Sequence, residues 1–154
     1  MLLALVVWIG GILFFAFVEA PTLFRVLPTT KMAGDVVSAS LTKLHWMGLV
    51  SGGVFLIASL FYDWQKYVQL RPFSAIHILV VLMLIFTMVS QFGITPRMKQ
   101  LRADMEIGDL PTPFAVQRAE FDRLHEWSTR AEEGVLLCGL AVVVLTARRF
   151  GNSN

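Results

Sequence analysis

Hydrophobic positions along this chain fall in long uninterrupted runs, with the polar positions gathered between them. Residues 2–18 (LLALVVWIGGILFFAFV) carry no charge. At ~1.5 Å per helical residue they extend about 25 Å, close to the thickness of a bilayer core. The run reads as a retained span and not as a cleaved leader, because no basic segment precedes it and Pro21 directly follows the small-residue site at Ala20. Residues 44–62 and 73–95 repeat the pattern, the second ending at Pro96. Residues 134–147 are also uncharged but short for a span. Extended back to Ser128, this last run reaches bilayer length, sets Glu132 and Glu133 at the boundary, and is anchored at its far end by Arg148 and Arg149.

These runs predict an all-α fold: a four-transmembrane-helix bundle in a single integral membrane domain over 1–154, with spans near 2–20, 43–62, 73–95 and 128–148. An additional extramembrane helical stretch is expected to lead into the last span. Its start is read at Thr112-Pro113, with Thr as cap and Pro at the first helical position. Four spans put both termini and the 63–72 link on one side and the longer 21–43 and 96–133 pieces on the other. The long pieces hold nine of the thirteen Lys and Arg, which favours a cytoplasmic location for them, although per residue the bias nearly vanishes.

Composition sharpens this. A chain with 56% hydrophobic and only 16% charged residues, and mean hydropathy +0.66, exceeds what a water-soluble domain carries. The lipid bilayer is therefore the expected partner. Formal charge +2 and pI near 9.0 describe loop and headgroup residues and give no reason to expect a nucleic-acid partner. The single Cys138 excludes an intrachain disulfide and reads as a small packed residue.

Ionisable side chains at membrane depth cost a few kcal/mol unless paired or wet, so the few near the spans are the candidates for function. Glu19 ends the first span shortly before Arg25, His45 opens the second, Gln91 and Arg97 close the third, and His125, Ser128 and Glu132 precede the fourth. All lie on the long-loop side; His77 starts the third span on the opposite side. Arg118, Phe121, His125, Ser128, Glu132, Val135, Gly139 and Val142 are spaced by three and four and form one helical stripe. Its apolar, small lower half is expected to face the bundle. His45, Gly48, Gly52 and Phe55 share a second such face, where glycine permits close helix approach.

Two histidines near one end of a bundle suit a haem iron, a copper ion or a zinc ion. His45 and His125 are thus the candidate ligands, with Glu19, Gln91, Ser128 and Glu132 as groups that orient an imidazole or take a proton. Arg25 and Arg97 read as interfacial charges. The competing reading makes each histidine a hydrogen-bonded helix-end residue. No HExxH motif, phosphate loop or Ser/His/Asp arrangement is visible, so the residues favour a non-enzymatic role.

WIGGILFFAFVEAPTLFR (8–25), KMAGDVV and LTKLHWMGLVSGG (31–53), TPRMKQLR (95–102) and FDRLHEWS (121–128), in that order, resemble the transmembrane-protein-205-like family of small four-helix membrane proteins. Pro21, Gly34, His45, Pro96, His125 and Ser128 fall on its motif positions, whereas Glu19 departs from the apolar residue expected there. More distantly, the fold resembles copper-resistance-D-like and haem-binding protoporphyrinogen-oxidase-like membrane proteins. The resemblance implies a multi-pass membrane protein that binds haem or a transition metal through boundary histidines. Its alternatives are an accessory subunit of a larger membrane complex, a homo-oligomer, or a haem-dependent membrane oxidoreductase.

Overall fold

A computed structural model describes residues 1–67, 74–107 and 114–151, and nearly all of them are helical. Helix α1 (Leu2–Phe14) passes into a π-helical turn, π1 (Phe15–Glu19), and on into α2 (Ala20–Val26). A bend over 27–29 leads to α3 (Thr30–Tyr67), where Thr29 Oγ1 accepts from the Met32 backbone N–H at 3.2 Å and so caps the new helix. Helix α4 (Ala75–Met88), capped by Ser74, continues through π2 (Val89–Ile94) into α5 (Thr95–Ile107), and α6 (Phe114–Gly151) closes the chain.

Both π turns have the same cause. Each ends two residues before a proline, Pro21 or Pro96, which has no N–H for the i−4 carbonyl and whose ring crowds that carbonyl. The ladder answers by widening: the Ala20 N–H reaches Phe15 O, and the Thr95 N–H reaches Ser90 O, five residues back in each case. The helices therefore run through the prolines instead of stopping at them. They continue beyond the apolar runs that mark the first and third spans.

The 21–43 piece is likewise mostly helical, because α3 begins well before the apolar run that marks its span. At ~1.5 Å per residue its 38 residues extend about 57 Å, well beyond a ~30 Å hydrocarbon core. The expected helix start at Thr112-Pro113 and the rest of the link after Tyr67 lie outside the described residues. From Phe114 onward, α6 runs unbroken from the polar stretch into the apolar one, as the pattern predicts.

The bundle is inverted relative to a soluble protein. Large apolar residues such as Leu3, Phe17, Ile57 and Leu137 point outward. Its interior combines an apolar core with buried polar groups, including His45, Ser90, Gln91 and Ser128. That arrangement suits an apolar solvent. Among the described residues, three helical segments are long and apolar enough to cross a membrane, Leu2–Val26, Thr30–Gln65 and Ala75–Met105. Helix α6 packs most extensively on α4. Trp8 of α1 packs against α3, where a Cβ on Gly48 would come 2.4 Å from the indole nitrogen and one on Gly52 2.6 Å from its ring. Only glycine allows this approach, and it locks α1 and α3 in axial register.

Candidate functional site

The buried polar groups converge where α3, π2 and α6 meet. His45 of α3 is 2% exposed. Its Nδ1 lies 2.8 Å from Gln91 Oε1 of π2, and its Nε2 lies 2.6 Å from Glu132 Oε1 of α6. Ser90 and Ser128, one residue and one turn away, face each other with their hydroxyls 3.4 Å apart. Glu132 is the less buried of the pair, its side chain 18% exposed.

This geometry constrains the protons. Two acceptor oxygens face one imidazole, and a singly protonated ring donates to only one of them. The second contact requires another ring proton, a proton on Glu132, or a Gln91 amide turned so that its NH2 donates to Nδ1. The Gln91–His45–Glu132 row therefore offers several places for one proton, separated by small rearrangements.

Glu132 connects the row to a cavity of about 560 Å³ at the long-loop end of the bundle. One wall is apolar and comes from α1, π1, α2 and α3, including Ile12, Phe15, Phe24 and Leu41. Helices α5 and α6 contribute the charged and polar groups Lys99, Arg102, His125, Ser128 and Glu132, beside Met98 and Phe121. The volume falls in the range of ~300–1,000 Å³ usual for small-molecule sites. At the mouth, the His125 ring stacks parallel on Phe121, centroids 6.5 Å apart, and Arg102 lies over the same Phe121 ring at 5.5 Å.

The expected stripe on α6 thus divides. Ser128, Val135, Gly139 and Val142 are buried and Glu132 turns to His45, while Phe121 and His125 line the cavity and Arg118 is exposed. His125 and Glu132 are seven residues apart, a rise of about 10 Å along the helix. Both ring nitrogens of His45 are engaged with Gln91 and Glu132, so no hydrogen bond joins it to His125. Among the described residues, no three His, Cys, Asp or Glu side chains gather as a metal-holding group.

Glu19 is half-buried within π1 and Arg25 is exposed in the last turn of α2; no ion pair joins these two described residues. Arg97 makes a forked pair with Glu120, 2.8 and 3.2 Å, and also donates to Gln100. That hydrogen bond, helped by the nearby positive charge, lowers the Glu120 carboxyl below its usual range. His77 lies at the opposite end of the bundle, beside the Ser74 cap of α4.

Sequence reasoning missed Lys99 and Arg102 as site residues. Their signal is the spacing Thr95, Met98/Lys99, Arg102, a helical stripe hidden by reading Pro96 as a stop.

A family model described as a domain of unknown function, DUF4149, matches residues 3–106, which takes in α1 to α5 with His45 and Gln91. No curated protein and no solved structure matches the chain.

Proposed function

From the premise that this chain belongs to the DUF4149 family, we propose that it is a four-span membrane protein binding a small molecule in its boundary cavity. The row Glu132–His45–Gln91 holds an exchangeable proton at the cavity floor. The observation that carries this reading is the 2.6 Å contact between buried His45 and Glu132, a carboxylate that is itself part of the cavity wall. A proton at Glu132 is in reach of a ligand, and the partners of His45 fix its position.

The fourth span is α6. Its packing along α4, and the inward turn of Glu132, support it: the charge that lowers its hydropathy faces a partner inside the bundle and not lipid. The finer resemblance to the transmembrane-protein-205-like family agrees with a single four-helix domain over 1–154. A haem or metal ion held by His45 and His125 would require one ring nitrogen of His45 to leave its partner, Gln91 or Glu132. A subunit role would use exposed aromatic residues such as the edge-on pair Trp46 and Phe92. Neither accounts for the engagement of both His45 ring nitrogens inside the bundle, so the cavity reading is preferred.

The test is a thermal-shift screen of small amphiphiles and organic ions on the protein in lipid nanodiscs, followed by calorimetry of each hit in two buffers of different ionisation enthalpy. The expected result is binding accompanied by proton uptake or release that Glu132→Gln removes, with affinity reduced at least tenfold by the cavity-filling change Ala16→Trp. A proton count that Glu132→Gln leaves unchanged, or hits indifferent to Ala16→Trp, would overturn the proposal.

A further inference from the structure

The geometry points to a single-chain amphiphile with an anionic head as the ligand of the cavity, its carboxylate or phosphate at Lys99 and Arg102 and its chain along the α1 wall. This rests on the cavity reading above and names the chemistry that the cavity selects.

The cavity lining is mostly apolar, and its Lys and Arg side chains come from α5. Ile12, Phe15 and Phe24 supply an apolar strip that offers a hydrocarbon chain contact and offers a polar solute no hydrogen bond. Facing it at the mouth are two cations on one face of α5, three residues apart. Arg102 is held from three sides. Its Nη1 donates to Asp35 at 2.9 Å, its guanidinium carbon lies 5.5 Å from the Phe121 ring centroid, and Gly34 lies beneath it, where a Cβ would come 3.2 Å from Nη2. A guanidinium has five N–H donors in a fixed fork, and the bond to Asp35 uses one of them. The side chain is 26% exposed, so the remaining donors can meet a head group. Lys99 spends one donor on Thr42 Oγ1 at 3.3 Å.

Charge then orients the ligand. In the adjoining groove that shares Lys99 and Arg102 with the cavity, these two cations meet the carboxylate of Asp35, an excess of one positive charge among the described lining residues. Glu132 at the floor lies eleven residues beyond Phe121, about 16 Å along α6. An anionic head is attracted to the mouth and kept from the floor, and its chain follows the apolar wall inward. A neutral head gains neither ion pair, and an inorganic anion leaves the apolar wall uncovered. Charge-assisted contacts of this kind outside bulk water are stronger than neutral ones, which gives the selectivity its size.

The experiment uses the full chain in nanodiscs of zwitterionic lipid, with empty nanodiscs as baseline and a dansyl-tagged fatty acid as probe. Competitors are palmitate, lysophosphatidate, a neutral monoacylglycerol and inorganic phosphate. Palmitate and lysophosphatidate are expected to displace the probe at least tenfold better than the monoacylglycerol, and phosphate not to displace it. Lys99→Gln with Arg102→Gln should weaken the probe tenfold or more, whereas the charge-keeping pair Lys99→Arg with Arg102→Lys should retain most of its binding. Lys99→Gln alone, which leaves the Asp35 pair intact, should give a smaller loss and guards against misfolding of the double variant.

Equal competition by the monoacylglycerol, or full binding by the Gln variants, would overturn the anionic-head inference while leaving a ligand cavity in place. Displacement by phosphate at the concentrations effective for lysophosphatidate would make the ligand a soluble anion and also overturn it. Probe binding that no competitor displaces and that Ala16→Trp does not change would instead refute the cavity reading on which the inference stands.

Discussion

His45 satisfies both ring nitrogens inside the bundle, and its removal should expose how much the row contributes. His45→Phe fills the space but strands Gln91 and Glu132, and an unsatisfied buried polar group costs about 1–3 kcal/mol. Unfolding of the variant in mixed detergent should show a loss of that order. Adding Glu132→Leu removes the stranded carboxylate, so the double variant should recover part of the loss, with a coupling of about 0.5–3 kcal/mol between the two positions. Strictly additive losses would mean that the 2.6 Å contact adds nothing. Much of this site was legible: the three-and-four spacing put Ser128 and Glu132 on an inward stripe, and His45 stood at the start of an apolar run. The sequence could not say that Glu132, and not His125, lies opposite His45. Those two residues share one stripe two turns apart, and which of them meets α3 depends on axial register between helices. Register is set by distant packing, such as Trp8 on Gly48 and Gly52, which no local pattern encodes.

That packing makes glycine substitution a test at the scale of the element. A Cβ at position 48 would intrude to 2.4 Å from the Trp8 indole, whereas one at position 10 or 53 meets nothing within 4 Å. Gly48→Ala should therefore destabilise by about 1–3 kcal/mol through overpacking of α1 against α3. Gly10→Ala and Gly53→Ala should be neutral or gain up to about 1 kcal/mol from reduced backbone freedom. Unfolding midpoints of the three variants measured side by side would check this, and equal midpoints would contradict it. Helix α5 is tied to α6 by Arg97 and Glu120, and here pH gives the test. Because the Glu120 carboxyl is lowered in the folded state, its contribution is present above the ordinary carboxylate range and lost as pH falls through the lowered value. Protection factors at the start of α6, taken against the intrinsic exchange rate at each pH, should fall through that acid window in the wild type, and the step should be absent in Glu120→Gln. The effect belongs to an exposed pair and stays local. Composition alone could not locate this tie, because it depends on α5 continuing as a helix through Pro96, where the π turn absorbs the missing hydrogen bond.

At the scale of the whole molecule, the count of crossings decides whether the cavity is a boundary pocket of a complete bundle. Among the described residues three segments qualify as spans by apolarity, and the described part of α6 carries Arg130, Glu132 and Glu133 ahead of its apolar run. Hydropathy averages around a helix and cannot distinguish a charge facing lipid from one facing a partner. The packing distinguishes them. Val135, Val142 and Thr146 are buried, and α6 lies along α4, so the two helices share the same depth. An α6 that crosses the bilayer places the two termini on the same side, and one that stays outside places them on opposite sides. Reporter tags fused separately to Met1 and Asn154, read for protease access in sealed vesicles and after permeabilisation, should therefore behave alike. Opposite access would remove α6 from the bilayer and expose Glu132 and His45 to water. The proton row would then lose the low-dielectric setting that makes an inward carboxylate consequential, and its role at the cavity floor would have to be abandoned.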